Sequence, residues 1–269
     1  MAEGQRGKDG MQHREFGEER RETLLLLHGG GLSWWNYRET AALLEQDFHV
    51  ALPILDGHAG SDRPFTSIEE NAAEILSWID VHCGGSVLLI GGLSLGAQIL
   101  LEMLTQRREI CRYALVESAA VIPSRLTNAL IAPAFGSSYG LIRNRGFARR
   151  QFQALHIKEE LFEDYYRDSC QIKKSDMIAF MKANTVYALK APIRGASAET
   201  YVFYGGRETR EIVRSAERIG KTLPGSHLCC LQEYYHGEFS LNHAAEYADM
   251  IRSIVGGRPG TQAKEVSLP

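Results

Sequence analysis

Gly92-Leu93-Ser94-Leu95-Gly96 is the segment best suited to covalent chemistry. A serine hydroxyl attacks a carbonyl only if a neighbouring base takes its proton and if the backbone holds it out toward the substrate. The segment follows a short apolar run, Ser86-Val87-Leu88-Leu89-Ile90, and opens an apolar-periodic stretch at residues 97–107. A strand, a glycine-flanked serine and a helix in that order form a nucleophile elbow. The sharp turn puts the serine backbone in a strained conformation, and small flanking residues let strand and helix approach closely. The serine oxygen then stands near a helix N-terminus, which favours developing negative charge.

A second glycine-rich segment, His28-Gly29-Gly30-Gly31, ends the apolar run Thr23–Leu27. Acyl transfer needs backbone N–H donors aimed at the tetrahedral oxyanion. One donor is expected from Leu95, the residue after the nucleophile. The other is expected from the earlier loop, at Gly30 or Gly31.

The elements that must position these residues alternate along the chain. Apolar runs bounded by turn residues occur at 23–27, 48–52, 86–90, 113–116, 201–204 and 227–231. Such runs indicate strands buried on both faces, as in a parallel sheet. Helical patterns fill the gaps at 67–81, 97–107, 208–219 and 244–255. The first begins with a capping box, Ser67 and Glu70, and carries Ile68, Ala72, Ile75, Leu76 and Ile79 on one face. The expected fold class is therefore α/β, a mostly parallel sheet with flanking helices. Residues 122–189 break the alternation with helical patterns and no clear strand. A helical insertion of this size often caps a site. Its arginines Arg143, Arg145, Arg149 and Arg150 read as a solvated helix face before an anion site.

Length and composition narrow the class. The 269 residues suit one large domain, and 44% hydrophobic with 23% charged residues is ordinary for a globular chain. A net charge of −3 offers no sign of phosphate neutralisation, so no nucleic-acid partner is expected. No apolar run approaches the roughly 18 residues that span a bilayer, so no membrane partner is expected. The polar segment 1–21 is not a secretory signal, and it and 256–269 read as loosely attached. Five cysteines without CxxC spacing argue for free thiols in a reducing compartment, with the cytoplasm the expected location.

The two glycine motifs in this order resemble the α/β-hydrolase superfamily, in its serine-nucleophile, esterase- or lipase-like form. The loop Asp56-Gly57-His58-Ala59-Gly60-Ser61-Asp62 is similar to a further loop of that family. The resemblance covers about residues 22–255. It implies a core of 22–121 and 190–255, with 122–189 as a helical cap between the family's sixth and seventh strands. Little chain precedes Thr23, so the family's first two antiparallel strands are expected to be short or absent. The resemblance also implies the chain order serine, acid, histidine. Glu208, after the run 201–204, is the first candidate acid, and Glu117, after 113–116, the alternative. His236 is the expected base. His243 reads as a helix N-terminal residue and His58 as a support for its own loop.

On this assignment His236 takes the proton of Ser94, Glu208 orients the imidazole, and the amides of Gly30 and Leu95 bind the oxyanion. Water then cleaves the acyl-enzyme. No cofactor or metal is implied, and the expected partner is a small-molecule ester or related acyl compound. A serine at position 94 argues against dehalogenase or epoxide-hydrolase chemistry, which needs a carboxylate there. Trp34, Trp35 and Tyr37 follow the glycine loop, and Trp34 and Trp35 are expected to line an acyl pocket. The alternatives are a slow or silent ligand receptor on the same fold, and a lyase or C–C hydrolase using the same residues.

Overall fold

The structure is a computed structural model that describes residues 10–223 and 225–257. Seven strands, β1 (His13–Phe16), β2 (Thr23–Leu27), β3 (His49–Pro53), β4 (Val87–Leu93), β5 (Cys111–Glu117), β6 (Glu199–Gly205) and β7 (His227–Leu231), form one sheet in the order β1-β3-β2-β4-β5-β6-β7. The ladders from β3 through β7 are parallel, and β1 runs antiparallel to β3. The helices are α1 (Arg38–Leu44), α2 (Ile68–Cys83), α3 (Leu95–Gln106), α4 (Arg125–Ser138), α5 (Arg145–Ala154), α6 (Phe162–Ser169), α7 (Lys174–Val186), α8 (Arg210–Thr222), α9 (Glu238–Asn242) and α10 (Ala244–Val255). Between β5 and β6 the chain leaves the sheet to form α4–α7.

Alternation along the strands builds two cores. Leu25 and Leu27 of β2 join the cluster that holds α2, α3 and α8. Leu24 and Leu26 point the other way, into a cluster with α1 and α10. A sheet buried on both faces needs apolar residues at every strand position, which is why these strands read as unbroken apolar runs. The N-cap of α2 is formed as the sequence indicates, with Ser67 Oγ accepting from Glu70 N at 3.0 Å.

One expectation is corrected. Part of segment 1–21 is built into the sheet, because His13–Phe16 pairs with Val50–Pro53 and Met11 and His13 are buried. The strand has no apolar alternation to betray it. It is held by polar groups: Glu15 bridges His13 and His49, at 3.5 and 3.1 Å. Hydrogen bonds from these two imidazoles hold the Glu15 carboxyl well below the usual range. The expectation of loose attachment for 1–9 and for most of 256–269 lies outside the described residues.

Because β2 to β7 are parallel, the loops that follow them emerge at one edge of the sheet. The chain passes from β3 across β2 to β4, so the loops after β2 and β4 flank a switch point, where open sheets form a crevice. The β4–α3 turn packs tightly here. A Cβ on Gly92 would lie 2.5 Å from Gly96 O, and one on Gly96 would lie 2.2 Å from Leu27 O. Both obstacles are backbone, so neither can move aside. We expect Gly96→Ala to force α3 off β2 and to cost about 3 kcal/mol, read as a lower urea midpoint with an unchanged slope.

Candidate active site

Ser94 stands between β4 and α3 with φ 51° and ψ −107°. This conformation is strained for a non-glycine residue. It is held from both sides: Ser94 N donates to Glu117 O at 2.8 Å, and Ser94 O accepts from Gln98 N at 3.0 Å. Leu95 opens α3, so its amide belongs to the first turn, where N–H groups lack intrahelical acceptors.

The loop after β2 lies against this turn. A Cβ on Gly30 would be 3.6 Å from the Leu95 Cβ, so the two residues expected to supply oxyanion donors are neighbours. Gly31 has φ +79°, a conformation glycine adopts without strain. His28, fully buried, braces the loop. Its Nδ1–H donates to Gly29 O at 2.9 Å and its Nε2 accepts from Leu55 N at 3.1 Å. Burial pushes the His28 imidazole down to about 3, so it stays neutral and keeps both bonds.

His236 and Glu208 follow β7 and β6. His236 Nδ1 lies 2.8 Å from Glu208 Oε2. The Glu208 side chain is 1% exposed and that of His236 48%. A buried carboxylate needs partners, and Glu208 also accepts from Gly205 N and from Ser118 Oγ, each at 2.8 Å. Burial pushes its carboxyl up, but the bond and charge of His236 together with the other two donors outweigh burial and leave it below the usual carboxylate range. Glu208 precedes α8, which starts at Arg210, and its side chain turns toward β7.

Glu117, the alternative acid, makes a different contact. Its Oε1 accepts from Ser240 N at 3.2 Å, and its Oε2 is buried without a hydrogen-bond partner among the described residues. Burial pushes its carboxyl up to about 7, against the opposing pull of Ser240. His243 caps α10 and stacks on Tyr234, with ring centroids 4.4 Å apart. His58 is buried, bonded to Asp56 O at 3.0 Å and stacked on Phe180 of α7 at 4.4 Å.

Two cavities, of about 350 and 340 Å³, meet at Ser94 and His236, which line both. Gly30 also lines both. The first runs past His156, Arg207 and Tyr235. The second runs beneath the inserted helices, past Phe135, Met177 and Phe180.

Trp34 and Trp35 line neither cavity, contrary to expectation. The short 3₁₀ turn Trp34–Tyr37 carries Trp35 into the core on the α1 and α10 face of the sheet and leaves Trp34 partly buried against it. Trp35 is buried and donates from Nε1 to Asp168 Oδ2 at 2.8 Å. Trp34 lies under the guanidinium groups of Arg14 and Arg38, at 5.5 and 5.8 Å. A buried indole needs an acceptor, and Asp168 of α6 supplies it, so these residues tie the insertion to the core. The arginines of α5 line neither cavity. Arg145 and Arg149 pair with Glu163 and Glu159 and lie over the Phe162 ring.

Sequence reasoning missed Ser118, which has φ 56° and bonds both Glu208 and, at 3.4 Å, Gly237 N. It also missed His156, whose ring stacks on Tyr235 at 3.7 Å. The one available signal for Ser118 is its place just past a strand at the carboxyl edge of the sheet. Nothing local marks His156.

A sequence model of the alpha/beta hydrolase family matches residues 24–250. The chain belongs to that family. No curated protein matches it by sequence. Solved structures share its fold at low identity. An esterase from Exiguobacterium antarcticum superposes with a TM-score of 0.78 and 18% identity, covering 95% of this chain and 100% of that one. A thermophilic esterase from Thermogutta terrifontis gives 0.75 and 16%, over 92% and 94%. An enol-lactonase from Burkholderia xenovorans LB400 gives 0.76 and 13%, over 92% and 98%. Among the described residues no cluster of His, Cys, Asp and Glu is arranged to hold a metal, and no helix is long and apolar enough to cross a membrane.

The two carboxylates at this edge predict different pH behaviour. Below the usual carboxylate range Glu117 is protonated in both folded and unfolded chains and does not affect stability. As pH rises from the usual carboxylate range to about 7, the unfolded chain gives up that proton first, so Glu117 disfavours the fold by an amount that grows up to about pH 7 and is constant above it. Glu117→Gln should therefore raise the urea midpoint at neutral and alkaline pH. Its advantage should vanish below the usual carboxylate range, as a pH series of urea titrations would show.

Proposed function

We propose that the protein is a serine hydrolase of small-molecule esters or related acyl compounds, with Ser94 as nucleophile, His236 as base and Glu208 as the orienting acid. The observation that carries this reading is the 2.8 Å contact of His236 Nδ1 with a buried Glu208, beside a strained Ser94 on the same cavity wall. The contact fixes the proton on Nδ1 and leaves Nε2 free to accept the serine proton. The carboxylate then stabilises the imidazolium that forms. The amides of Leu95 and Gly30 supply the oxyanion donors. Collapse of the tetrahedral species expels the alcohol, protonated by His236. A water activated by the same imidazole attacks the acyl-enzyme, and the acid leaves with Ser94 restored.

A carboxylesterase is the simplest member of this class. The esterase and enol-lactonase neighbours share its fold and so keep the lactone alternative open. Resistance of the pocket to turnover, as in a silent receptor, is disfavoured by the partnered Glu208, since a receptor has no need to bury a carboxylate against a histidine. We take residues 122–189 as the cap, because helices from this stretch wall both cavities. Free thiols at all five cysteines fit a cytoplasmic setting.

A fluorophosphonate probe, which traps an activated serine, should label the wild type rapidly and leave Ser94→Ala unlabelled. Absence of labelling on a folded wild type would refute the nucleophile. Glu208→Gln keeps the shape but offers the imidazole an amide in place of a carboxylate. It should lower kcat on the order of 10³- to 10⁴-fold with little change in KM.

A further inference from the structure

The cavity beneath α4–α7 is apolar on most of its wall, with Phe135, Met177, Phe180 and Met181 facing the lobe. Among its wall residues, one polar side chain has a fully buried atom without a hydrogen-bond partner among the described residues. Asn184 Nδ2 donates to Gln98 Oε1 at 3.0 Å. Gln151 of α5 lines the same lobe, and its Oε1 is buried with no hydrogen-bond partner among the described residues. A buried amide oxygen without a partner is costly and uncommon. The terminal torsion of glutamine is soft, so the amide turns toward a ligand in the lobe at little cost. A polar group in the cavity can supply that missing partner.

We propose that this lobe binds an acyl arm that is apolar along its length and carries one hydroxyl, which bonds the Gln151 amide. Gln151 then determines specificity for hydroxylated acyl groups over plain ones. A hydroxyl suits the site because it can donate to Oε1 and can also accept from Nε2, so it serves either end of the amide. The lobe is the right place for an acyl arm. It opens at Ser94 beside Leu95 and Gly30, and at about 340 Å³ it has the size of a ligand pocket. A plain alkyl chain would fill it but leave the amide unpaired. A site that hydrogen-bonds a substrate hydroxyl rejects the analogue lacking it for that reason. The proposal rests on Ser94 being the nucleophile.

The test uses nitrophenyl esters of a medium-chain fatty acid and of its hydroxylated counterparts, with the hydroxyl walked along the chain. For wild type, kcat/KM for the best hydroxy ester should exceed that for the plain ester by about tenfold, the size of one buried hydrogen bond. Gln151→Leu should collapse that ratio to near one or below by lowering kcat/KM for the hydroxy ester more than for the plain ester, with Ser94 still labelled by the fluorophosphonate. Gln151→Met, which keeps the unbranched stem, should do the same and serves if the leucine variant fails to fold. A wild type that favours no hydroxyl position, or a ratio that survives in both variants, would overturn the proposal and leave the hydrolase reading standing. Labelling without turnover of either ester series would also overturn it. A wild type that is neither labelled nor active would instead refute Ser94 as the nucleophile.

Discussion

The rest of the site depends on a contact between backbones. Gly92, Gly96 and the carbonyl of Leu27 meet so closely that neither glycine has room for a side chain. That approach sets α3 directly against β2 and β4. It holds Ser94 at φ 51°, a strain on the order of 1–3 kcal/mol that the turn could not keep if its surroundings were loose. The bond from Ser94 N to Glu117 O adds the third strand, β5, to the support. The serine is therefore fixed by three adjacent strands and one helix. Its hydroxyl can be presented to a substrate without rearrangement, which is what preorganised acyl transfer requires.

Around this point two carboxylates end neighbouring parallel strands and meet opposite environments. Glu208 is buried but receives three hydrogen bonds, and it keeps its charge. Glu117 is buried with one partnered oxygen, and burial favours its neutral form. Environments that push two like groups apart divide their roles. The charged one faces the imidazole and can stabilise an imidazolium. The other sits behind the serine and contributes its backbone carbonyl. Ser118 links the two strand ends, since its hydroxyl donates to Glu208 while the residue before it holds Ser94.

Much of this was legible in the sequence because parallel strands buried on both faces leave long apolar signals. The six strands from β2 to β7 were each marked by such a run, and the glycine motifs located the turns that follow β2 and β4. β1 was not legible. An edge strand of four residues with histidine and glutamate inside carries no apolar period, and its pairing depends on His49, far along the chain. Trp34 and Trp35 misled for a related reason. Sequence places them just after the glycine loop, but a single 3₁₀ turn directs Trp35 into the core on the α1 and α10 face and leaves Trp34 partly buried against it. Proximity along the chain fixed neither the face they occupy nor the acceptor, Asp168, that draws Trp35 inward. The order serine, acid, histidine could be read from family resemblance. The choice of Glu208 at His236 needed the side-chain geometry.

The division of the chain follows from these placements. Ser94, Glu208 and His236 lie just past strand ends, at one edge of the sheet. Residues that shape the second cavity lie on α4–α7, which contact the core through a few defined ties. Trp35 to Asp168 fixes α6, Phe65 N to Asp176 Oδ1 fixes α7 at 3.1 Å, and the stack of His58 on Phe180 fixes the wall between them. The insertion is thus anchored at its base, on the side of the glycine loops. Its outer helices carry the exposed Leu126, Leu130 and Phe147. Substitutions at the anchors bear on the glycine loop after β2, because His58 lies against His28, and His28 holds Gly29.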